Sequence, residues 1–348
     1  GVKPTAILAQ ASGLEARVCR RGRRPRPPGH PQRQMGVKPK EAAAPEAYDI
    51  DWRAMPRRPF KRGFVPYGSE APAEEAAKRR KLLGVEVIED PAGEDSTPLP
   101  VESFEELGAL PPWLLDGLRD DERFEPTPMQ SQALPIALAG QNLVAVGPPG
   151  PGSQAAYLLP AAVHVEDQPP LAEDDAGPVV LVLVPSQELA EKAALEAGTL
   201  LAHSGRSERH PEGQRAVCVS GGGLRSEKLE ELTKRGAHIV VGTPKRVHDM
   251  ASKEQISLLR VTMLVLDGAD KMLSLGFAEE LKQLAAWVRP ERQMLLLAAT
   301  WPKALSELAR ELCYAGGLPV RFGAGSKAPA PPAAKDGEAE DGEATEAP

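Results

Sequence analysis

The residues best placed to do chemistry lie in the stretch 142-NLVAVGPPGPGSQAAYLLP-160. An apolar run, Leu143 to Val146, enters a Gly/Pro turn, and an Ala-rich helical stretch follows. Gly147, Gly150 and Gly152 fall where a G-x-x-x-x-G-K-[ST] loop places glycines. Such a loop wraps backbone N–H groups around phosphates at a helix N-terminus. Its Lys reaches the outer phosphates, and its Ser/Thr hydroxyl holds Mg²⁺. Here those two positions are Ser153 and Gln154. Pro148, Pro149 and Pro151 each remove a further N–H. The loop is expected to keep its turn and some capacity for an anion. Its phosphate affinity is expected to fall steeply.

Other chemical groups follow in a fixed order. Phe104 heads SFEEL, and 126-PTPMQ-130 precedes the loop. After it come 185-PSQELA-190, Gly221 and Gly222, 243-TPKR-246, 265-VLDGAD-270 and 298-AATWP-302. Gln130 carries a donor and an acceptor that suit an adenine edge, and an aromatic supplies a stacking face. Equally, Phe104 could be core and Gln130 could cap the loop. Asp267 ends an apolar run and could hold a water on Mg²⁺. Asp267 and Asp270 could also be a sheet-end carboxylate pair that only keeps the fold. The six histidines show no metal-ligand spacing, and Ser220 belongs to no G-x-S-x-G motif.

In order, spacing and wording these motifs resemble the first RecA-like lobe of DEAD-box RNA helicases. That family reads roughly PTPIQ, A-x-T-G-S-G-K-T, PTRELA, GG, TPGR, DEAD and SAT. The resemblance covers about residues 100–323. It implies adenine recognition by Phe104 and Gln130, and phosphate binding by Gly147, Gly150 and Gly152. It puts Gly268 where the family has the Glu that activates water, and Ala298 where it has a Ser. The retained carboxylates are Asp267 and Asp270. RNA contacts are implied for Ser186, Gly221, Gly222, Thr243 and Arg246. Gln187 loses a charge relative to the family, and Lys245 adds one.

Ser153, Gln154 and Gly268 are thus three separate defects in one reaction. Phosphoryl transfer depends on positioning and charge stabilisation, so the expectation is a catalytically inactive RNA- or ribonucleoprotein-binding module. No cofactor is expected to be required, and any ATP or Mg²⁺ binding is expected to be weak. An active ATP-dependent helicase represented by a divergent or partial sequence is the alternative. A structural subunit of an organellar ribonucleoprotein is a third. No H-R-x-G-R-x-x-R-type motif follows, so a partner protein is a candidate source of a second lobe.

Composition frames this reading. The chain has 348 residues, 41% of them hydrophobic and 4% aromatic, with 36 Pro and 32 Gly. The abundance of Pro and Gly points to long flexible segments. The net charge of −7 hides a basic arm, residues 1–69, at a net of +10 (15 basic, 5 acidic). Arg57, Arg58, Lys61 and Arg62 are interleaved there with Trp52, Phe60 and Phe64. That mixture suits single-stranded RNA through stacking and charge. Three scattered cysteines (Cys19, Cys218, Cys313) imply neither disulfide framework nor metal cluster, and point to an intracellular, reducing compartment. The Arg-rich start loosely fits an organellar leader. No apolar run reaches the roughly 18–20 residues of a membrane span.

Three regions are expected: a basic, mostly disordered extension (1–100), a globular lobe (101–323) and an acidic disordered tail (324–348). Apolar strands are expected at 142–147, 179–184, 216–219, 238–241, 261–267 and 293–298. Helices are expected between them, including one at 224–235. Strands apolar on both faces and alternating with helices predict an open parallel α/β sheet covered on both sides. Ligands then bind at the carboxyl ends of the strands.

Overall fold

The computed structural model describes residues 50–51, 61, 63–65, 73–93, 96–123, 125–148, 150, 152–171, 177–220, 232, 235–313 and 317–325. Their centre is one eight-stranded sheet. Its strands are β1 (Val85–Glu89), β2 (Leu143–Val146), β3 (Val180–Leu183), β4 (Ala216–Val219), β5 (Ile239–Gly242), β6 (Met263–Asp267), β7 (Gln293–Ala298) and β8 (Val320–Ala324). The spatial order is β1-β8-β2-β7-β6-β3-β5-β4. Every pairing is parallel except β1 against β8.

Each strand sends alternate residues to opposite faces. Leu143 and Ala145 of β2, with Val180 and Val182 of β3, enter one core cluster. Val144, Val146, Leu181 and Leu183 enter the other. Both faces are therefore buried, which explains the unbroken apolar runs. The first face is covered by α2 (Pro112–Asp120), α3 (Pro128–Leu138), α4 (Ala155–Glu166) and α5 (Gln187–Leu200). The second is covered by α6 (Pro244–Ser252), α7 (Ala269–Ser274), α8 (Ala278–Trp287) and α9 (Lys303–Cys313).

The lobe begins earlier than residue 101. Helix α1 (Ala73–Leu83) and β1 precede that boundary, and β1 pairs with β8 from Val85↔Ala324 onward. Polar α1 is held by tertiary bonds: Arg80 donates to Gln132 and to the carbonyls of Thr97 and Pro98. Part of the arm also belongs to this body. Phe64 and Val65 pack on the first cluster, and the Val65 N–H donates to the Leu138 carbonyl at 3.4 Å. At the other end, β8 continues to Ala324. The expected helix at 224–235 lies almost wholly outside the described residues, as does the tail beyond Gly325.

Candidate functional site

The strand–turn–helix from β2 to α4 forms one wall of a cleft of about 790 Å³ at the carboxyl ends of β2, β6 and β7. Gly147, Gly150, Ser153 and Gln154 line it, together with Asp267, Gly268 and Asp270. Gly147 has a packing reason of its own. A Cβ there would collide with the Ala324 carbonyl oxygen of β8. Its N–H donates to the Ala298 carbonyl at 3.0 Å.

Three amides at the end of the loop and the start of α4 bond to the loop itself. Ser153 N–H donates to Gly150 O (3.3 Å), Ala155 N–H to Gly152 O (3.0 Å) and Ala156 N–H to Ser153 O (3.2 Å). Gln154 is 4% exposed, and its Oε1 has no partner among the described residues. A buried amide thus occupies the position where the motif places a small hydroxyl on Mg²⁺. Pro149 and Pro151 lie outside the described residues.

Gln130 stands behind the loop. Its side chain completes a capping box at the start of α3: Oε1 accepts from Thr127 N–H at 2.9 Å, and Thr127 Oγ1 accepts from Gln130 N–H at 3.4 Å. Its Nε2 donates to the Gly152 carbonyl at 2.5 Å. Both ends of the amide are therefore engaged by protein, and Gln130 ties α3 to the loop. Phe104, 2% exposed in the first core cluster, joins Thr127, Gln130 and Gly152 around a neighbouring cavity of about 570 Å³. The structure brings the two expected adenine residues together, with the amide edge already in use.

Opposite the loop, Asp267 Oδ2 accepts from Tyr157 Oη at 3.1 Å. Burial raises the Asp267 pKa above the usual carboxylate value, against the pull of that hydrogen bond. Burial, followed by the Asp267 charge, raises the Tyr157 pKa well above the phenol norm. Gly268 begins α7 with φ 78° and ψ 42°. That left-handed conformation strains any residue with a Cβ, and a Cβ here would press on the Pro185 ring at 3.3 Å. Asp270 Oδ2 accepts from both the N–H (2.9 Å) and the hydroxyl (2.8 Å) of Thr300. This bond ties the turn after β7 to α7.

Lys192 and Lys271 also line the cleft, and sequence reading missed both, as it missed Tyr157. Lys192 comes from α5, far along the chain. Its one signal is the i,i+3 spacing to Leu189, which lines the same cleft. The described residues hold no group of three or more His, Cys, Asp or Glu that could bind a metal. The donor set does not fit a family-type Mg²⁺ and nucleotide site. The loop Lys and the metal-binding hydroxyl are replaced, and Asp267 is hydrogen-bonded to a buried phenol.

The expected RNA residues fall on adjoining strand ends. Strands β3 and β5 pair Leu183 with Gly242. Ser186 caps α5 by accepting from Leu189 N–H at 3.3 Å. Thr243 stands at the N-cap of α6, but its hydroxyl makes no cap bond. Arg246 is half-buried, and its Nε lacks a partner among the described residues. Lys245 is exposed. Lys61 lies with its Nζ 4.9 Å from the centre of the Phe64 ring. Gly221, Gly222, Arg57, Arg58 and Arg62 lie outside the described residues. No helix among the described residues is long and apolar enough to cross a membrane.

The sequence model for "DEAD/DEAH box helicase" matches residues 127–308. The chain is 39% identical over 280 residues to "DEAD-box ATP-dependent RNA helicase 20" of Oryza sativa subsp. japonica, covering 79% of this chain and 52% of that protein. It is 36% identical over 293 residues to "ATP-dependent RNA helicase dbp2" of Schizosaccharomyces pombe, covering 81% and 50%. The chain thus spans about half the length of these relatives, roughly one lobe. Among solved structures, the yeast DEAD-box splicing factor Prp28 superposes with a TM-score of 0.66 at 23% identity, covering 75% of this chain and 59% of that one. Prp28 from Chaetomium thermophilum bound to ADP gives 0.61 at 28% identity, covering 74% and 58%. The shared architecture is the RecA-like sheet.

Proposed function

Since this chain belongs to the DEAD/DEAH box helicase family, we propose that it is a catalytically inactive member that binds RNA or a ribonucleoprotein. The observation that carries the reading is the pair of substitutions facing each other across the cleft. Gln154 is a buried amide at the metal-hydroxyl position, and Gly268 holds a left-handed backbone at the water-activating position. Ser153 adds a third loss, the cation on the outer phosphates. Each removes charge or positioning that phosphoryl transfer needs. Cys218 and Cys313 are free thiols, which supports a reducing compartment as part of this reading.

RNA binding is supported by the family, by Thr243 and Arg246 at the end of β5, and by the basic stretch around Lys61. A protein partner supplying a second lobe belongs to the same proposal. Two observations favour an active ATP-dependent helicase instead: the Asp270–Thr300 link is intact, and curated relatives are named ATP-dependent RNA helicases.

Calorimetry on the full chain tests the proposal, with single-stranded RNA in one arm and ATP with and without Mg²⁺ in the other. RNA is expected to bind with a log–log salt slope of about −0.7 per phosphate neutralised. ATP is expected to bind weakly and alike with and without Mg²⁺. Tight Mg²⁺-dependent ATP binding would favour the active-helicase reading.

A further inference from the structure

The crossover 201–215 joins α5 to β4 at the amino ends of β4 and β5, away from the cleft. Polar side chains tie it down. Ser204 Oγ accepts from Gln214 N–H at 2.8 Å, Ser207 Oγ donates to Glu166 Oε1 at 2.5 Å, and Gln214 Nε2 donates to Glu166 Oε2 at 3.0 Å. Two histidines close the arrangement. His210 belongs to the crossover and His238 immediately precedes β5. Each is 3% exposed, and their rings meet edge to face with centroids 5.1 Å apart.

The hydrogen bonds suit the neutral form of both rings. His238 Nδ1 accepts from the Arg215 N–H at 3.0 Å. A proton on Nδ1 would set donor against donor, so charging this ring breaks the bond. Its Nε2 has no partner among the described residues. His210 Nε2 donates to the Val165 carbonyl at 3.0 Å. The charged surroundings are mostly of the wrong sign. Arg215 and Arg260 face His238, and Arg209 and Arg260 face His210. Glu166 alone favours a cation at His210, and it is already engaged by Ser207 and Gln214.

We propose that this histidine pair is an acid-released latch: the neutral rings hold the crossover on the amino ends of β4 and β5, and protonation frees it while the rest of the sheet stays folded. Burial, then His210 and the two arginines, lowers the His238 pKa from 6.5 to about 3, and burial lowers that of His210. Released rings therefore bind protons more readily than latched ones. The latch is at full strength above about pH 6.5 and weakens as pH falls towards 3. The crossover supplies Arg206, Ser207 and Arg209 to a cavity of about 790 Å³ whose lining also includes Lys61, Phe64 and Trp113. Release dismantles that wall. The latch depends on neither the RNA reading nor the loss of catalysis.

Hydrogen exchange on the full chain between pH 7 and pH 5, corrected for the intrinsic pH dependence of amide exchange, tests it. The reporters are the amides of Ser207, Gly213 and Gln214, which donate to Ser204 O, His210 O and Ser204 Oγ. Their protection is expected to fall about tenfold from pH 6 to pH 5, with β7 remaining far better protected. In the double variant His238→Asn, His210→Gln this fall is expected to vanish. Asn keeps an acceptor for the Arg215 N–H, and Gln keeps a donor for the Val165 carbonyl. Flat protection in the wild type overturns the latch, and so does an unchanged fall in the double variant. Equal loss of protection in the crossover and β7 at pH 5 also overturns it, because the whole lobe would then be opening. If the double variant does not fold, magnetic resonance of the wild-type rings decides. A His238 ring still neutral at pH 5 in the folded chain supports the latch, and a ring that titrates near pH 6.5 overturns it.

Discussion

The two halves of the cleft have aged differently. On the loop side, Ser153 and Gln154 stand where the motif has the groups that meet phosphate and metal, and the Ser153, Ala155 and Ala156 amides bond to the loop. On the far side, Asp270 holds both polar atoms of Thr300, and Ser186 caps α5 at a neighbouring strand end. The contrast separates residues the sheet needs from residues that only chemistry needs. Asp270 is a structural tie as well as a motif residue. A loop Lys would have been a cation for a ligand and nothing else.

That contrast can be broken most severely at Gly147. If the sheet keeps this glycine, rather than a phosphate, Gly147→Ala should destabilise the fold by about 3 kcal/mol, because the methyl meets backbone of β8. Chemical denaturation measures it. A neutral result would return Gly147 to the ligand's account. Next in size is Arg246→Ala, expected to weaken RNA binding by about 1 kcal/mol for all sequences alike and to reduce the salt slope by about 0.7. Loss of affinity for one sequence only would point to base readout instead.

Gly268→Ala sharpens the comparison from the other wall. The left-handed backbone predicts a loss of about 1 kcal/mol, measured as a lower denaturation midpoint. The consequence for engineering is direct: restoring a Glu at 268 carries this strain, whereas Ser153→Lys with Gln154→Thr does not.

The smallest effect concerns pH. Burial raises the Asp267 pKa in the fold above its ordinary value of 3.8. Ionised Asp267 is therefore disfavoured in the native state. Its stabilising contribution is full below about pH 3.8 and is lost as pH rises through the raised folded value. Asp267→Asn, which keeps an acceptor for Tyr157, should then be slightly more stable than wild type at pH 7. The advantage should shrink on acidification. A variant equally or less stable at pH 7 would mean that the carboxylate is stabilised in place.

Much of this was legible in the sequence, for definite reasons. Strands β2, β3 and β5 are buried on both faces and so appear as unbroken Val/Leu runs. Edge strand β1, VEVIE, alternates and follows a polar helix fixed by Arg79 and Arg80 rather than by an apolar stripe. The short apolar run around Leu82 to Ile88 is the local mark of that pair, and it is too brief to set the start of the lobe before residue 101. Thr127 and Gln130 carry a capping-box spacing that sequence can show. The bond from Gln130 to Gly152, which engages the rest of the amide, exists only in the fold. Gly268 looks like a missing Glu until its φ is known. Lys192 reaches the cleft from another helix, which no motif spacing encodes.

The proposal that phosphoryl-transfer chemistry is lost from a retained sheet is tested most directly by ATP turnover of the full chain with saturating single-stranded RNA and Mg²⁺. The account predicts a rate indistinguishable from buffer with or without RNA. RNA-stimulated hydrolysis on the order of 1 per second, abolished by Asp267→Ala, would contradict it.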